Sequence, residues 1–228
     1  MRIAVSAGHN VFINNNFDVG AVANGKREAD ITRETVKYLK ELLRKQKHEV
    51  LDVTPYNEKF TEKKSHHEKR CKSVDEFKAD LYLDVHINAG GGAGTECWVY
   101  DKTSKAYPYA EKIAESISKN IGLQNRGVKI NPTFWSLSLC KAPAIIIEGA
   151  FIDNKEDMGK LNAKNYAESI AKVFGEVATL EKDKPSEWAK EAWKWGKEKG
   201  ITDGSRPKDN TTREEIITML YRFKEVIK

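Results

Sequence analysis

Hydrophobic positions fall into short runs and helical stripes that alternate along the chain. Residues 2–7 (RIAVSA) are an apolar run that predicts a strand ending at Gly8-His9. Residues 10–27 are polar and glycine-containing and predict a loop. Ile31, Leu39, Leu42 and Leu43 then recur at near-helical spacing with Lys and Arg between them, which predicts a helix with Asp30 as its N-cap. Residues 48–54 (HEVLDVT) predict a second strand, stopped by Pro55, and the charge-dense residues 61–78 a mostly exposed helix. Strands are predicted at 79–88 (ADLYLDVHIN), at 94–100 after Gly90-Gly91-Gly92, and at 144–148. Between them lie an amphipathic helix over 104–121, with Ala110, Ile113, Ala114 and Ile117 inward, an extended piece at 126–130 and a short helix at 134–139. A loop through Asp153-Asn154 leads to a last helix at 163–179.

Strands alternating with helices predict an α/β domain with a twisted, mostly parallel or mixed sheet flanked by helices. The pattern changes at Thr179. Residues 179–185 read as a charged linker ending in Pro185, and residues 186–228 as helix, glycine-containing loop, helix. The expected division is therefore 1–178, a linker at 179–185, and a small all-α domain at 186–228.

Composition narrows the setting only a little. The chain has 228 residues, 39% hydrophobic and 32% charged, with a formal net charge of +5. This suits a globular protein and permits anionic partners without calling for nucleic acid. No window approaches the ~20 apolar residues of a membrane helix, so no membrane partner is expected. The N-terminal apolar run is too short for a signal peptide, which predicts synthesis in the cytoplasm. Cys71, Cys97 and Cys140 are odd in number and lack CxxC spacing, and read as reduced, partly buried thiols.

Candidate chemistry collects at strand ends. His9, His86 and Glu148 each close an apolar strand, and open α/β sheets bind ligands beyond the carboxyl ends of their strands. His9, Glu28 and His86 fit an N, O, N set of the kind that holds catalytic zinc, with Glu148 beside it as acid/base. Each alone also has a plainer reading: a strand-end histidine as a structural hydrogen-bonder, Glu28 as a charge favoured in a helix's first turn. Glu148, after three isoleucines, needs a partner or an open site. His66-His67 read as a solvated helix face and His48 as exposed. Asn88 and Glu96 fall near the strand ends, suited either to substrate contact or to structural hydrogen bonds, and Cys140 lacks a base nearby.

Five ordered segments sharpen this reading: Ser6-Ala7-Gly8-His9-Asn10, Gly25-Lys26-Arg27-Glu28-Ala29, Asp84-Val85-His86-Ile87-Asn88-Ala89, Gly94-Thr95-Glu96, and Pro143 to Asn154 with Glu148-Gly149-Ala150-Phe151 inside it. Over roughly residues 1–178 they resemble the zinc-dependent N-acetylmuramoyl-L-alanine amidases of the Amidase_3 type, found as autolysins, sporulation amidases and phage endolysins. The resemblance implies one zinc ion on His9, Glu28 and His86, Glu148 as the catalytic carboxylate, and peptidoglycan as substrate. It implies cleavage between N-acetylmuramic acid and the L-alanine of the stem peptide, most simply in a phage or prophage endolysin that reaches the wall after release. Two departures stand out. Ser6-Ala7 replaces the Asp-Pro of many members, and Asp84-Val85 the usual Ser-Ile or Ser-Leu; neither removes a ligand.

The C-terminal segment resembles one S-layer homology motif through Trp188-Ala189-Lys190-Glu191-Ala192, Gly200-Ile201, Asp203-Gly204, Arg206-Pro207 and Thr212-Arg213-Glu214-Glu215. This implies binding of secondary cell-wall polysaccharide, with Trp188 and Arg213 at the ligand pocket. Without a ligand role, Trp188, Trp193, Trp195, Ile216 and Leu220 would seal a small core. About 43 residues is marginal alone, and a weak homodimer, or docking on the catalytic domain, would help. A host sporulation or autolytic amidase, a zinc peptidase acting on the stem peptide, and a non-catalytic wall-binding module are the alternatives.

Overall fold

A computed structural model describes residues 1–56, 58–176, 185–202, 211 and 213–226. The chain divides into two compact units, Met1–Val177 and Ala178–Lys228.

In the first unit the order is β1 (Arg2–Ala7), β2 (Phe12–Ile13), β3 (Asn16–Phe17), β4 (Val22–Ala23), β5 (Lys26–Arg27), α1 (Glu28–Lys45), β6 (Glu49–Asp52), β7 (Lys59–Phe60), α2 (Lys63–Glu76), β8 (Leu81–Asn88), β9 (Thr95–Val99), α3 (Tyr107–Ile121), β10 (Asn125–Ile130), α4 (Trp135–Ser138), β11 (Ala144–Phe151), α5 (Lys155–Lys160) and α6 (Ala163–Ala171). Six strands form the main sheet in the order β10-β9-β11-β8-β1-β6. The four strands β11, β8, β1 and β6 run parallel, while β9 pairs antiparallel to β11 and parallel to β10. The result is the expected α/β fold with a mixed sheet flanked by helices.

Alternation along the strands sends two apolar sets to opposite faces. Ile3, Val5, Leu81, Leu83, Val85, Ile145 and Ile147 are fully or almost fully buried; α1 and α3 pack on the sheet, and α6 packs on both of them. On the other face Ala4, Tyr82, Ala144 and Ile146 share a cluster with Val74 of α2 and Leu137 of α4. Central strands covered on both faces read as near-continuous apolar runs, which is why β8 and β11 stand out in the sequence.

Several local expectations change. Helix α1 starts at Glu28 and not after Asp30; its N-cap is Arg27, without a side-chain cap, and Asp30 instead pairs with Arg27. The 10–27 loop contains the short strands β2 to β5. After Asp153 comes α5, capped by Asn154, whose Oδ1 accepts the Glu156 and Asp157 N–H groups. The last helix ends at Ala171.

Three side-chain expectations are overturned. Cys71 and Cys140 form a disulfide, and only Cys97 is free, buried under the sheet's apolar face. The bridge joins α2 to the segment before β11, a pairing that a sequence separation of 69 conceals. His66-His67 are not solvated: α2 lies against the sheet, and its buried face is made of His66, Arg70, Cys71 and Val74, a polar set that hides the helix's orientation. His48 is half-buried, with Nε2 3.2 Å from the Phe174 carbonyl oxygen.

In the second unit a 3-10 turn at Glu187–Ala189 leads into α7 (Lys190–Glu198), followed by α8 (Arg213–Val226). The linker at 179–184 and Asp203, Gly204, Arg206, Pro207 and Thr212 lie outside the described residues. Among the described residues the expected aromatic core is not closed. Trp195 meets Phe223 at 6.1 Å, but Trp188 is 89% exposed and Ile216 and Leu220 are also exposed. Among the described residues no helix is long and apolar enough to cross a membrane.

Candidate metal centre

The parallel register sets the site. Glu148 on β11 lies opposite His86 on β8, and opposite Glu96 on β9, so three chemical side chains stand in a row on one face across adjacent strands. Helices α2 and α4 cover the same face nearer the strand beginnings. His9 follows β1, and Glu28 is the first residue of α1, where the helix's N-terminal N–H groups favour an anion.

His9, Glu28 and His86 converge, each offering one donor atom, with these atoms within 4.8 Å of one another. His9 Nε2 is 3.1 Å from Glu28 Oε2, and His86 Nδ1 is 2.9 Å from Glu28 Oε1. The far side of each ring faces a second carboxylate. Asp18 Oδ2 lies 2.9 Å from His9 Nδ1, and Asp84 Oδ2 lies 3.5 Å from His86 Nε2. Glu28 is anchored as well, accepting the N–H groups of Ile87 and Ala21 at 3.0 Å each.

Backbone geometry reserves this space. A Cβ on Gly8 would lie 2.5 Å from the His86 ring, and one on Gly20 would meet Glu28 and His9 at 2.6 Å on a backbone with φ of +67°. His9 and Asn10 both have positive φ, 57° and 62°. Asn10 secures that uncommon turn: buried, it donates to Gly8 O, Ala29 O and Thr32 Oγ1 and accepts from Arg33.

The electrostatics suit a cation. Burial alone would lower His9, but Asp18 and Glu28 carry it up to about 9. Burial would likewise lower His86, yet Asp84 and Glu28 hold it well above the usual imidazole range. Burial would raise Glu28, but the two imidazoles keep it well below the ordinary carboxylate range. The pocket thus gathers positive charge between three carboxylates. A divalent ion replacing the two protons meets the same field, with two imidazole nitrogens and a carboxylate as donors and a carboxylate behind each ring. That donor set and its outer partners fit zinc.

Glu148 differs from these carboxylates. Its Oε2 is buried with no hydrogen-bond partner among the described residues. Burial, opposed by His86 and reinforced by Glu28, Glu96 and Asp84, pushes its carboxyl up to about 7. Next to it, Glu96 accepts from Asn88 at 3.0 Å, Trp98 at 3.2 Å and Arg126 at 2.6 Å, with Lys129 at 2.7 Å. Asn88 therefore stands beside the row with its amide already engaged.

Sequence reasoning missed a buried polar cluster behind His86. Asp84 accepts from Ser6 at 2.5 Å and from Ser136 at 2.6 Å, and pairs with Arg70 at 3.3 Å. His67 Nδ1 lies 3.0 Å from Ser136 Oγ. Asp84 stands two residues before His86 on one strand, hence on the same face, and that period was the available signal. Asp18 and Arg70 gave none. Trp188 and Arg213 belong to the second unit.

An α/β sheet with two imidazoles at its strand ends, the first carboxylate of α1 between them and the unpartnered Glu148 Oε2 alongside forms a candidate metal centre of the hydrolase class. Residues 3–177 match Amidase_3, N-acetylmuramoyl-L-alanine amidase, and the chain belongs to that family. The endolysin of Bacillus phage SPP1 is 33% identical over 190 residues, covering 74% of this chain and 68% of the relative. N-acetylmuramoyl-L-alanine amidase CwlM of Bacillus licheniformis is 29% identical over 173 residues, 75% of this chain and 65% of the relative. Among solved structures, the catalytic domain of the CD27L endolysin targeting Clostridia Difficile superposes with a TM-score of 0.69 at 25% identity, over 76% of this chain and 96% of that one. The chain spans between about half and two-thirds of the length of the curated relatives it matches.

Proposed function

We propose that the chain is a zinc-dependent N-acetylmuramoyl-L-alanine amidase that hydrolyses the amide between the lactyl group of N-acetylmuramic acid and the first L-alanine of the peptidoglycan stem. Family membership supports the reaction. The observation that ties it to particular residues is the convergence of His9, Glu28 and His86 beside the unpartnered oxygen of Glu148.

His9, Glu28 and His86 would hold the zinc, which supplies Lewis acidity toward a water and the scissile carbonyl. Asp18 and Asp84 fix the ring tautomers, leaving His9 Nε2 and His86 Nδ1 as the inward donors. Glu148 takes a proton from the attacking water and delivers one to the departing alanine nitrogen. Its raised proton affinity suits both halves of that exchange.

A phage or prophage endolysin is the setting we favour, supported by the likeness to the SPP1 and CD27L endolysins; a sporulation amidase of Bacillus subtilis is also a relative, at 26% identity. In this reading the second unit holds the enzyme on the wall through a secondary polysaccharide, with Trp188 and Arg213 as its contacts. The exposure of Trp188 leaves it free for a sugar face.

The test is a set of single substitutions read by metal content and turnover together. His9→Ala, Glu28→Ala and His86→Ala should lose zinc and activity. Glu148→Gln should keep stoichiometric zinc and lose activity by about 10²–10⁴-fold, the scale of general acid–base help. Zinc lost from Glu148→Gln would make Glu148 a ligand and overturn these roles.

A further inference from the structure

We propose that Arg126 and Lys129 form a carboxylate-binding subsite for the stem peptide, so that the protein prefers stems whose second residue carries a free carboxyl. The inference rests on the amidase reading above and deepens it.

The direction of the substrate follows from the row of side chains. The carbonyl belongs at His9 and His86, on the β1 and β8 side. The departing nitrogen belongs over Glu148, one strand further along on β11. The line from carbonyl to nitrogen therefore runs from β8 to β11, and the peptide beyond it continues over β9 toward β10. Register supports that path: Glu148 is opposite Glu96, and Trp98 on β9 is opposite Lys129 on β10.

At that end two cations meet one carboxylate. Arg126 Nε lies 2.6 Å and Lys129 Nζ 2.7 Å from the same oxygen, Glu96 Oε2. Glu96 is only 2% exposed and uses its other oxygen for Asn88 and Trp98. Burial would raise its carboxyl, yet the two cations hold it below the usual range. The trio keeps one net positive charge, and the cations remain reachable, their side chains 30% and 33% exposed.

Both cations are held in place. The Arg126 guanidinium lies 5.0 Å from the Phe151 ring centroid and Lys129 Nζ 5.3 Å from that of Trp98. Arg126 reaches its position because the β10 register shifts between Asn125 and Val128, with Gly127 at φ +75°. A counter-ion for Glu96 requires one cation. The second, preorganised and part-exposed on the substrate path, matches an anionic group.

Distance selects that group. The cation heads stand over β9, one strand spacing, about 5 Å, from β11. Extended peptide covers about 3.5 Å per residue. A carboxylate on the second residue after the scissile nitrogen falls within reach, and the first residue, alanine in peptide linkage, offers none.

The experiment compares two soluble muropeptides, alike except that the second stem residue's α-carboxyl is free in one and amidated in the other. The zinc-loaded full chain should show a KM about tenfold lower for the free acid, the scale of one charge-assisted hydrogen bond, with similar kcat. Lys129→Gln and Arg126→Gln should each bring the ratio of KM values toward one, and Arg126→Lys should restore part of it. Lys129→Gln leaves Glu96 paired with Arg126, and its thermal midpoint checks the fold. Calorimetric binding of both muropeptides to Glu148→Gln reads the same preference without turnover. Equal KM values for the two muropeptides in the wild type, or variants that change both KM values alike, would leave Arg126 and Lys129 as counter-ions of Glu96 and overturn the subsite. If neither muropeptide yields a new alanine amino group, the amidase reading fails instead.

Discussion

The Ser6 hydroxyl donates to Asp84 Oδ1 at 2.5 Å, across the parallel pair β1 and β8. These two residues are also the positions where the chain departs from the family pattern, Ser where many members have Asp and Asp where Ser is usual. The two departures therefore meet in space, and exchanging the hydroxyl and the carboxylate between the strands tests that contact. Arg70, 0% exposed, pairs with the carboxylate in its present place.

That exchange predicts strong coupling. Ser6→Asp alone would set two buried carboxylates side by side, and Asp84→Ser alone would leave Arg70 without its ion-pair partner; each should cost about 3–5 kcal/mol. The double variant Ser6→Asp/Asp84→Ser restores one of each and should recover part of the summed loss, giving a coupling of about 3 kcal/mol, the upper end for residues in contact, in a denaturant-melt double-mutant cycle. Additive losses would show that the pair does not act as a unit.

The Cys71–Cys140 bridge closes 69 residues of sequence separation and ties α2 to the segment that follows α4. Chain entropy for a loop of that size gives about 4 kcal/mol. Cys71→Ala/Cys140→Ala, or wild type in reductant, should melt roughly 10 °C lower, at about 2–4 °C per kcal/mol for a chain of this size. A midpoint that reductant leaves unchanged would contradict the bridge.

Glu148 makes a pH prediction in two parts. A general base acts ionised, so kcat/KM should fall on acidification with a midpoint raised from 4.5 toward 7, by an extent that the bound cation reduces. For stability of the metal-free protein, the folded carboxyl keeps its proton up to about 7 while the unfolded one releases it near 4.5. The folded state therefore loses stability as pH rises through that window. Glu148→Gln removes the effect, so its thermal midpoint should exceed the wild type's by more at pH 8 than at pH 5. An equal difference at both values would place the raised proton affinity elsewhere.

The proposed wall-binding unit is separable by test. A chain ending at Leu180 should fold, bind zinc and cleave soluble muropeptides near the full-length rate. On insoluble walls it should be slower, because tethering raises local enzyme concentration. Arg213→Ala should lose part of the wall binding, since a guanidinium suits anionic sugar substituents. Sedimentation of both chains reads any dimer. Equal pull-down of both chains on purified walls would make the segment a structural appendage.

Much of the fold was legible because β1, β8 and β11 are buried on both faces and therefore read as unbroken apolar runs that end in His or Glu. His9 and His86 were legible for the same reason, since strand ends in a parallel sheet share one edge, whereas Glu28 opens α1 and was read from its place among the ordered segments. The site's supports were not. Asp18 sits in a loop whose partner is set by the His9–Asn10 turn, and Arg70 and His67 lie on a helix whose buried face is polar. The disulfide joins positions that only the packing of α2 and α4 brings together. Arg126 reaches Glu96 through an irregularity in β10 that residue periodicity does not register.

The central claim is the bond cleaved and its dependence on the His9–Glu28–His86 centre. It is tested most directly by mass spectrometry of purified cell walls digested with zinc-loaded and with chelator-treated protein. The account predicts intact glycan strands and new L-alanine amino termini from the zinc-loaded protein, and neither product after chelation until zinc is returned. Cleavage within the stem peptide, or undiminished release of alanine termini from the metal-free protein, would contradict it.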